Sequence, residues 1–206
     1  MWKGLKIYGV RVYGRQDTAV TSNKARDLAR DEQIPYSRVV VDEDGIGGAV
    51  VDNNKGFCGF IANSSALDNP DSKEPENYAN LKAQCSYKLA EKINKHEIAV
   101  EIEQGQFVSE VPGITFEVWK DMFVEELEQI KSKDKDKDTK LKVRSKEEVK
   151  EELGRSPDFG DTAMMRMRLE YPSKKKMGGV KIIRPKNPGG FNRNRPVDNN
   201  APPGKW

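Results

Sequence analysis

With 206 residues, 35% of them hydrophobic, the chain holds enough material for one globular domain, yet 33% charged residues and a mean hydropathy of -0.81 leave part of it solvated. Its 36 basic and 33 acidic residues give a net charge of only +3, too balanced to mark a nucleic-acid binder by bulk charge. No run approaches the ~18 apolar residues that span a bilayer, and no apolar stretch follows Met1-Trp2-Lys3-Gly4, so a soluble cytoplasmic protein without membrane contact is expected. Cys58 and Cys85 lie outside any C-x-x-C pair and His96 is the single histidine. Neither a disulfide framework nor zinc ligation is predicted, only two reduced, partly buried thiols. His96 sits in the polar turn Asn94-Lys95-His96-Glu97 between apolar segments, a poor place for a catalytic group.

In chain order, Leu5, Ile7, Val10 and Val12, with Tyr8 and Tyr13, predict a strand over 5–13 with an irregularity near Gly9. Asp17 or Thr18 opens a helix that runs to Gln33, where Ile34-Pro35 stops it. The valines of 38–41 form a continuous apolar run, the pattern of a strand buried on both faces, and Asp42 follows directly at its C-terminal edge. A short helix through Val51 and a strand over 56–61 come next, then a loop over 66–75. Tyr78, Leu81, Cys85, Leu89 and Ile93 recur at helical spacing, as do Phe116, Trp119, Phe123, Leu127 and Ile130; both stripes read as core-facing. Between them Ile98, Val100 and Ile102 predict a strand.

The alternating charges of 131–138 predict a solvated loop, and Leu141 with Val143 a short strand. Ser145-Lys146-Glu147-Glu148 offers a capping box, with Ser145 as N-cap and Glu148 reaching back, for a helix that ends at Gly154. Ser156-Pro157 restarts a helix, with Ser156 as N-cap and Pro157 first in the helix, continuing to about Glu170. The segment 171–206, rich in Lys, Pro and Gly, is expected to be a disordered basic tail behind a domain of 1–170. Strands alternating with helices, with an acid at a strand's carboxyl end, predict an α/β fold whose ligands gather at those ends.

Several residues could carry chemistry. Asp158 and Asp161 lie three apart near a helix start and can offer two carboxylates to one place, although acids there also complement the helix dipole. The turn Gly45-Ile46-Gly47-Gly48 after Asp42 could let a nucleic-acid backbone approach, or could be a plain strand-to-helix turn. Asp42-Glu43-Asp44-Gly45 is not an EF-hand, since the twelfth position is Asn53, and no phosphate-binding G-x-x-x-x-G-K-[ST] occurs, which argues against ATP hydrolysis by this chain.

The ordered series Val39 to Asp52, Tyr78-Ala79-Asn80-Leu81-Lys82-Ala83-Gln84, Phe123 to Leu127, Ser145 to Lys150 and Gly154 to Asp161 closely resembles the C-terminal nuclease domain of the large terminase subunit of tailed bacteriophages, over roughly residues 1–170. The resemblance implies a ribonuclease-H-like mixed sheet flanked by helices and an endonuclease that cuts concatemeric viral DNA during packaging. It implies two Mg²⁺ or Mn²⁺ ions held by Asp42, Asp158 and Asp161, with Gly45, Gly47, Gly48 and Arg155 beside the nucleic acid. Implied partners are double-stranded DNA, a terminase ATPase domain or polypeptide, the small terminase subunit and the portal. The family pattern also has a first strand bearing an essential Asp, and an ATPase domain, upstream of the segment resembling Trp2 to Ile7. A fragment lacking that strand is therefore expected, one that cleaves DNA poorly or not at all by itself.

Two alternatives stay open at this point. One is a non-catalytic module that assembles on a separate ATPase polypeptide. The other is a general nucleic-acid binder that uses Arg166, Arg168 and Lys174-Lys175-Lys176.

Overall fold

Asp17 caps the first helix by accepting the Ala19 N–H at 2.7 Å, and Asn80 and Thr115 do the same for the third and fourth at 2.9 and 3.3 Å. The computed structural model describes residues 1–44, 47–69, 76–133 and 139–171. Gly45, most of the alternating-charge run, and the expected tail beyond Tyr171 lie outside the described residues.

Six helices, α1 (Thr18–Asp31), α2 (Gly47–Asn53), α3 (Leu81–Asn94), α4 (Phe116–Glu128), α5 (Lys146–Leu153) and α6 (Asp158–Arg166), surround short strands. β1 (Trp2–Lys3) pairs antiparallel with β2 (Lys6–Ile7), which runs parallel to β6 (Ala99–Val100). β3 (Val10–Val12) lies parallel to β7 (Phe107–Ser109), β4 (Val40–Asp42) parallel to β5 (Cys58–Phe60), and β8 (Ser132–Lys133) forms a hairpin with β9 (Lys142–Val143). The core joins both helical stripes: Leu81, Cys85 and Leu89 of α3 meet Trp119 and Phe123 of α4 and Ala163 and Met164 of α6. Trp119 stacks on Phe123 with ring centroids 5.3 Å apart, which fixes the face α4 presents to α6.

Most predicted elements are present, with informative differences. The strand over 5–13 is two strands, β2 and β3, interrupted beside Gly9, where an added Cβ would meet the Met1 side chain. β7 escaped the sequence reading because Phe107-Val108-Ser109 is too short to establish a period. β4 is not buried on both faces: Val39, Val40 and Val41 are half-buried, and among the described residues β4 pairs with β5 alone. Ser132 and Lys133, read as loop, belong to β8. Ser156 does not cap α6; Pro157 occupies that position without a side-chain bond, and Asp158 begins the helix.

The capping box of α5 forms as expected: Ser145 Oγ accepts the Glu148 N–H at 3.2 Å, and Glu148 accepts the Ser145 N–H at 2.7 Å. Gly154 ends the helix at φ 67, a left-handed conformation that a Cβ would strain. Lys133, with the Ser145 N–H, holds the Glu148 carboxyl down from 4.5 to about 2. This contribution to stability is complete above pH 4.5 and is lost as pH falls through about 2. Denaturant midpoints measured across that window should fall more steeply for the native chain than for Glu148→Gln, and Ser145→Ala should cost about 1 kcal/mol at neutral pH.

Candidate active site

Asp42 ends β4, and the chain turns sharply after it. A Cβ on Gly47 would lie 1.6 Å from the Asp42 carbonyl oxygen, so glycine is required there for the turn to close. Asp42 Oδ1 accepts the Asp44 N–H at 3.1 Å, and Asp44 Oδ2 accepts the Ala62 N–H at 3.1 Å, tying the acidic turn to the end of β5. The carboxylate of Asp42 is thus oriented locally, with Oδ2 on the side of Lys146.

Asp161 stands in the first turn of α6 with 17% of its side chain exposed. Its Oδ2 lies 3.1 Å from Lys146 Nζ, and Asp42 Oδ2 lies 4.0 Å from the same nitrogen. Lys146 is the first residue of α5, placed by the capping box, so three elements distant in sequence meet on one ammonium. Burial favours the neutral amine, but Asp161, Asp42 and, more weakly, Asp158 outweigh it and hold Lys146 above its ordinary 10.5. The three side chains share a cleft of about 600 Å³ whose remaining polar walls include Asn63, Asn80, Lys82, Lys142 and Arg144.

Lys146 was missed in sequence because Ser145-Lys146-Glu147-Glu148 reads completely as a cap. A signal was available: a lysine at the first position of a helix stands against the dipole and needs an acidic neighbour from elsewhere.

The other predicted site residues go to different places. Asp158 is exposed and lines the cleft on the other side of α6, with Trp2, Ser156 and Thr162, while Asp161 alone faces Lys146. Arg155 is not free to meet a phosphate. It pairs with the buried Glu126 and, at 2.6 Å, with Glu125, and Glu126 also accepts the Gly160 N–H at 2.7 Å. Gly47 and Gly48 open α2, and the tight contact of Gly47 with Asp42 accounts for the glycine without a ligand; Gly45 lies outside the described residues. Arg166 donates to Glu170 at 2.6 Å and to the Gly4 carbonyl at 2.7 Å, and Arg168 donates to Cys58 Sγ at 2.7 Å, so neither offers an unengaged cation. The Cys85 thiol is buried and pushed up to about 12, which makes it inert. Among the described residues, no three His, Cys, Asp or Glu side chains converge as a metal-binding group, and no helix is long and apolar enough to cross a membrane.

Neither a protein-family model nor a curated protein matches the sequence. Solved structures do match. A lysine-to-alanine variant of the nuclease domain of the large terminase subunit gp2 of bacterial virus Sf6, determined with manganese, superposes with a TM-score of 0.58 at 21% identity, covering 80% of this chain and 79% of that one. The nuclease domain of the same Sf6 subunit gives 0.51 at 22% identity, covering 71% and 70%. The chain therefore has the mixed α/β, ribonuclease-H-like fold of a phage large-terminase nuclease domain.

Proposed function

We propose that the cleft of Asp42, Asp161 and Lys146 is the active site of a divalent-cation-dependent DNA endonuclease of the kind that acts in phage genome packaging. One observation carries this reading: acids from a strand end and a helix start converge on a single ammonium. The donors fit Mg²⁺ or Mn²⁺, because carboxylate oxygens are hard ligands and a positive charge already balances them where a cation would be held. Asp42 and Asp161 would hold such ions, which would supply Lewis-acid polarisation of the phosphodiester and activation of water. Asp42 and Asp161 supply the negative charge that retains them, the Asp44 N–H keeps Asp42 oriented, and Lys146 sets a positive charge where the phosphoryl oxygens become more negative in the transition state. A two-ion site would draw on a further carboxylate, and Asp158, which lines the opposite cleft, would have to turn across α6 to supply it. The substrate is double-stranded DNA and the partner a packaging ATPase, with the small subunit and portal as further members of the assembly.

The manganese-bound relative supports a divalent cation in this fold. Titration of the full chain with Mn²⁺, followed by calorimetry and by broadening of backbone NMR signals, is expected to locate binding at Asp42 and Asp161. Asp42→Asn or Asp161→Asn should remove it, together with a slow Mn²⁺-dependent nicking of supercoiled plasmid. Binding that survives both substitutions would overturn the assignment.

A module that docks on a separate ATPase polypeptide is the second reading. It draws on a groove of about 1120 Å³, walled by Trp2, Tyr8, Leu28, Ile34 and Val40, beside the edge of β4 that pairs with no strand among the described residues.

A further inference from the structure

Four cations besides Lys146 line the cleft: Lys82, Lys133, Lys142 and Arg144. Two are engaged. Arg144 donates to Gln129 at 2.9 Å and to Glu152 at 3.2 Å, and Lys133 donates to Glu148 at 2.5 Å. Lys82 and Lys142 have no acidic partner among the described residues.

Both stand where the local electrostatics of the fold oppose a positive charge. Lys82 is the second residue of α3, at the positive end of the helix dipole. The backbone there cannot take an anion in its place, because its N–H groups are used: Leu81 donates to Ser64 O at 2.8 Å, Lys82 to Ala62 O at 3.0 Å, Ala83 to Asn80 Oδ1 at 2.9 Å and Gln84 to Asn80 O at 3.1 Å. Lys142 lies directly across the β8–β9 ladder from Lys133, a like-charge pair of the kind that destabilises a hairpin. Glu148 offsets the charge of Lys133 but not that of Lys142, and an anion bound in the cleft would relieve the strain at Lys82 and Lys142 alike; positions that break a local rule are where function is sought.

We propose that Lys82 and Lys142 form a two-point clamp for the phosphate backbone of duplex DNA, gripping phosphates next to the one presented to Asp42 and Asp161. The reference to those acids rests on the nuclease reading, whereas the clamp itself is tested by binding alone. Each lysine neutralises one phosphate and releases its counterions, so the dependence of affinity on salt counts the contacts.

The test uses the full chain and a fluorescently labelled duplex oligonucleotide of mixed sequence, in EDTA so that no cation bridges protein to DNA and nothing is cut. Plotted as log affinity against log salt, the slope is expected to shrink by roughly 1 for Lys82→Gln, roughly 1 for Lys142→Gln and roughly 2 for the double variant. Lys82→Arg with Lys142→Arg should restore it, and Lys6→Gln, outside the cleft, should leave it unchanged. Because each glutamine removes a repulsive charge, the thermal midpoint should hold or rise; if a glutamine variant unfolds, the methionine variant at the same position, which also removes one charge but keeps the aliphatic stem, reads the slope. An unaltered slope in the folded double variant, or no salt-dependent binding by the native chain, overturns the clamp. A reduced slope together with absent Mn²⁺ binding at Asp42 and Asp161 would keep the clamp and remove the nuclease reading.

Discussion

Lys146→Met is expected to tighten Mn²⁺ binding by about tenfold while slowing Mn²⁺-dependent DNA nicking by about a hundredfold. The two effects have opposite sign because the ammonium plays two parts. In the resting cleft it competes for the oxygens a cation needs, at 3.1 Å from Asp161 and 4.0 Å from Asp42. A unit charge pair at 4 Å interacts by about 4 kcal/mol at an effective dielectric of 20, and solvent access to Asp42 and Lys146 screens most of that, leaving the ~1.4 kcal/mol that corresponds to tenfold. In the proposed cleavage the same charge would face the phosphoryl oxygens, and loss of one such group typically costs 10²–10³-fold in rate. Calorimetry reads the first effect and plasmid nicking the second. Weaker Mn²⁺ binding in the variant would show that Lys146 orders the acids rather than competing with the cation.

Arg155→Ala should destabilise the fold by about 3 kcal/mol, the lower end of the cost of stranding one member of a buried ion pair. Glu126 is 2% exposed, and burial raises its carboxyl above 4.5 even with the Gly160 N–H and Arg155 in place. The Gly160 N–H remains in the variant, at 2.7 Å, which keeps the loss from being larger. α6 approaches α4 closely enough that a Cβ on Gly160 would lie 3.1 Å from Glu126 Cβ, so the carboxylate stays buried between the two helices. An acid whose folded pKa is raised contributes most to stability below its ordinary 4.5 and loses that contribution as pH rises. The deficit of Arg155→Ala is therefore expected to be largest at neutral pH and to shrink below 4.5, as urea midpoints at two pH values would show. A deficit that grows in acid would place the cost elsewhere than Glu126.

Local rules carried much of the structure because the signals were local. The capping box at Ser145 and Glu148, the glycine stop at Gly154 and the two apolar stripes each depend on residues within a few turns of one another, and they appear where the pattern puts them except at the ends of the first stripe, where Tyr78 precedes α3 and Ile93 is exposed. Asp42 was legible as the acid at a strand end, and Asp161 as an acid in a first helical turn. Their convergence was expected only from the family resemblance, not from any local pattern, and the lysine on which they meet was not legible, because its immediate neighbours explain it fully as part of a cap. Arg155 misled for the opposite reason: beside Ser156-Pro157-Asp158 it looks exposed, and only the crossing of α4 over α6 reveals Glu126 waiting for it. The short strands β7 and β8 lie below the length at which period carries information.

The β8–β9 hairpin is fastened to α5 at two points, by Lys133 to Glu148 at 2.5 Å and by Arg144 to Glu152 at 3.2 Å. Lys142 and Lys146 therefore stand on two elements that are tied to each other beside the same cleft. If Lys82 and Lys142 hold the DNA backbone as proposed, a variant that loosens these ties would be expected to disturb both the grip on the backbone and the charge beside Asp161.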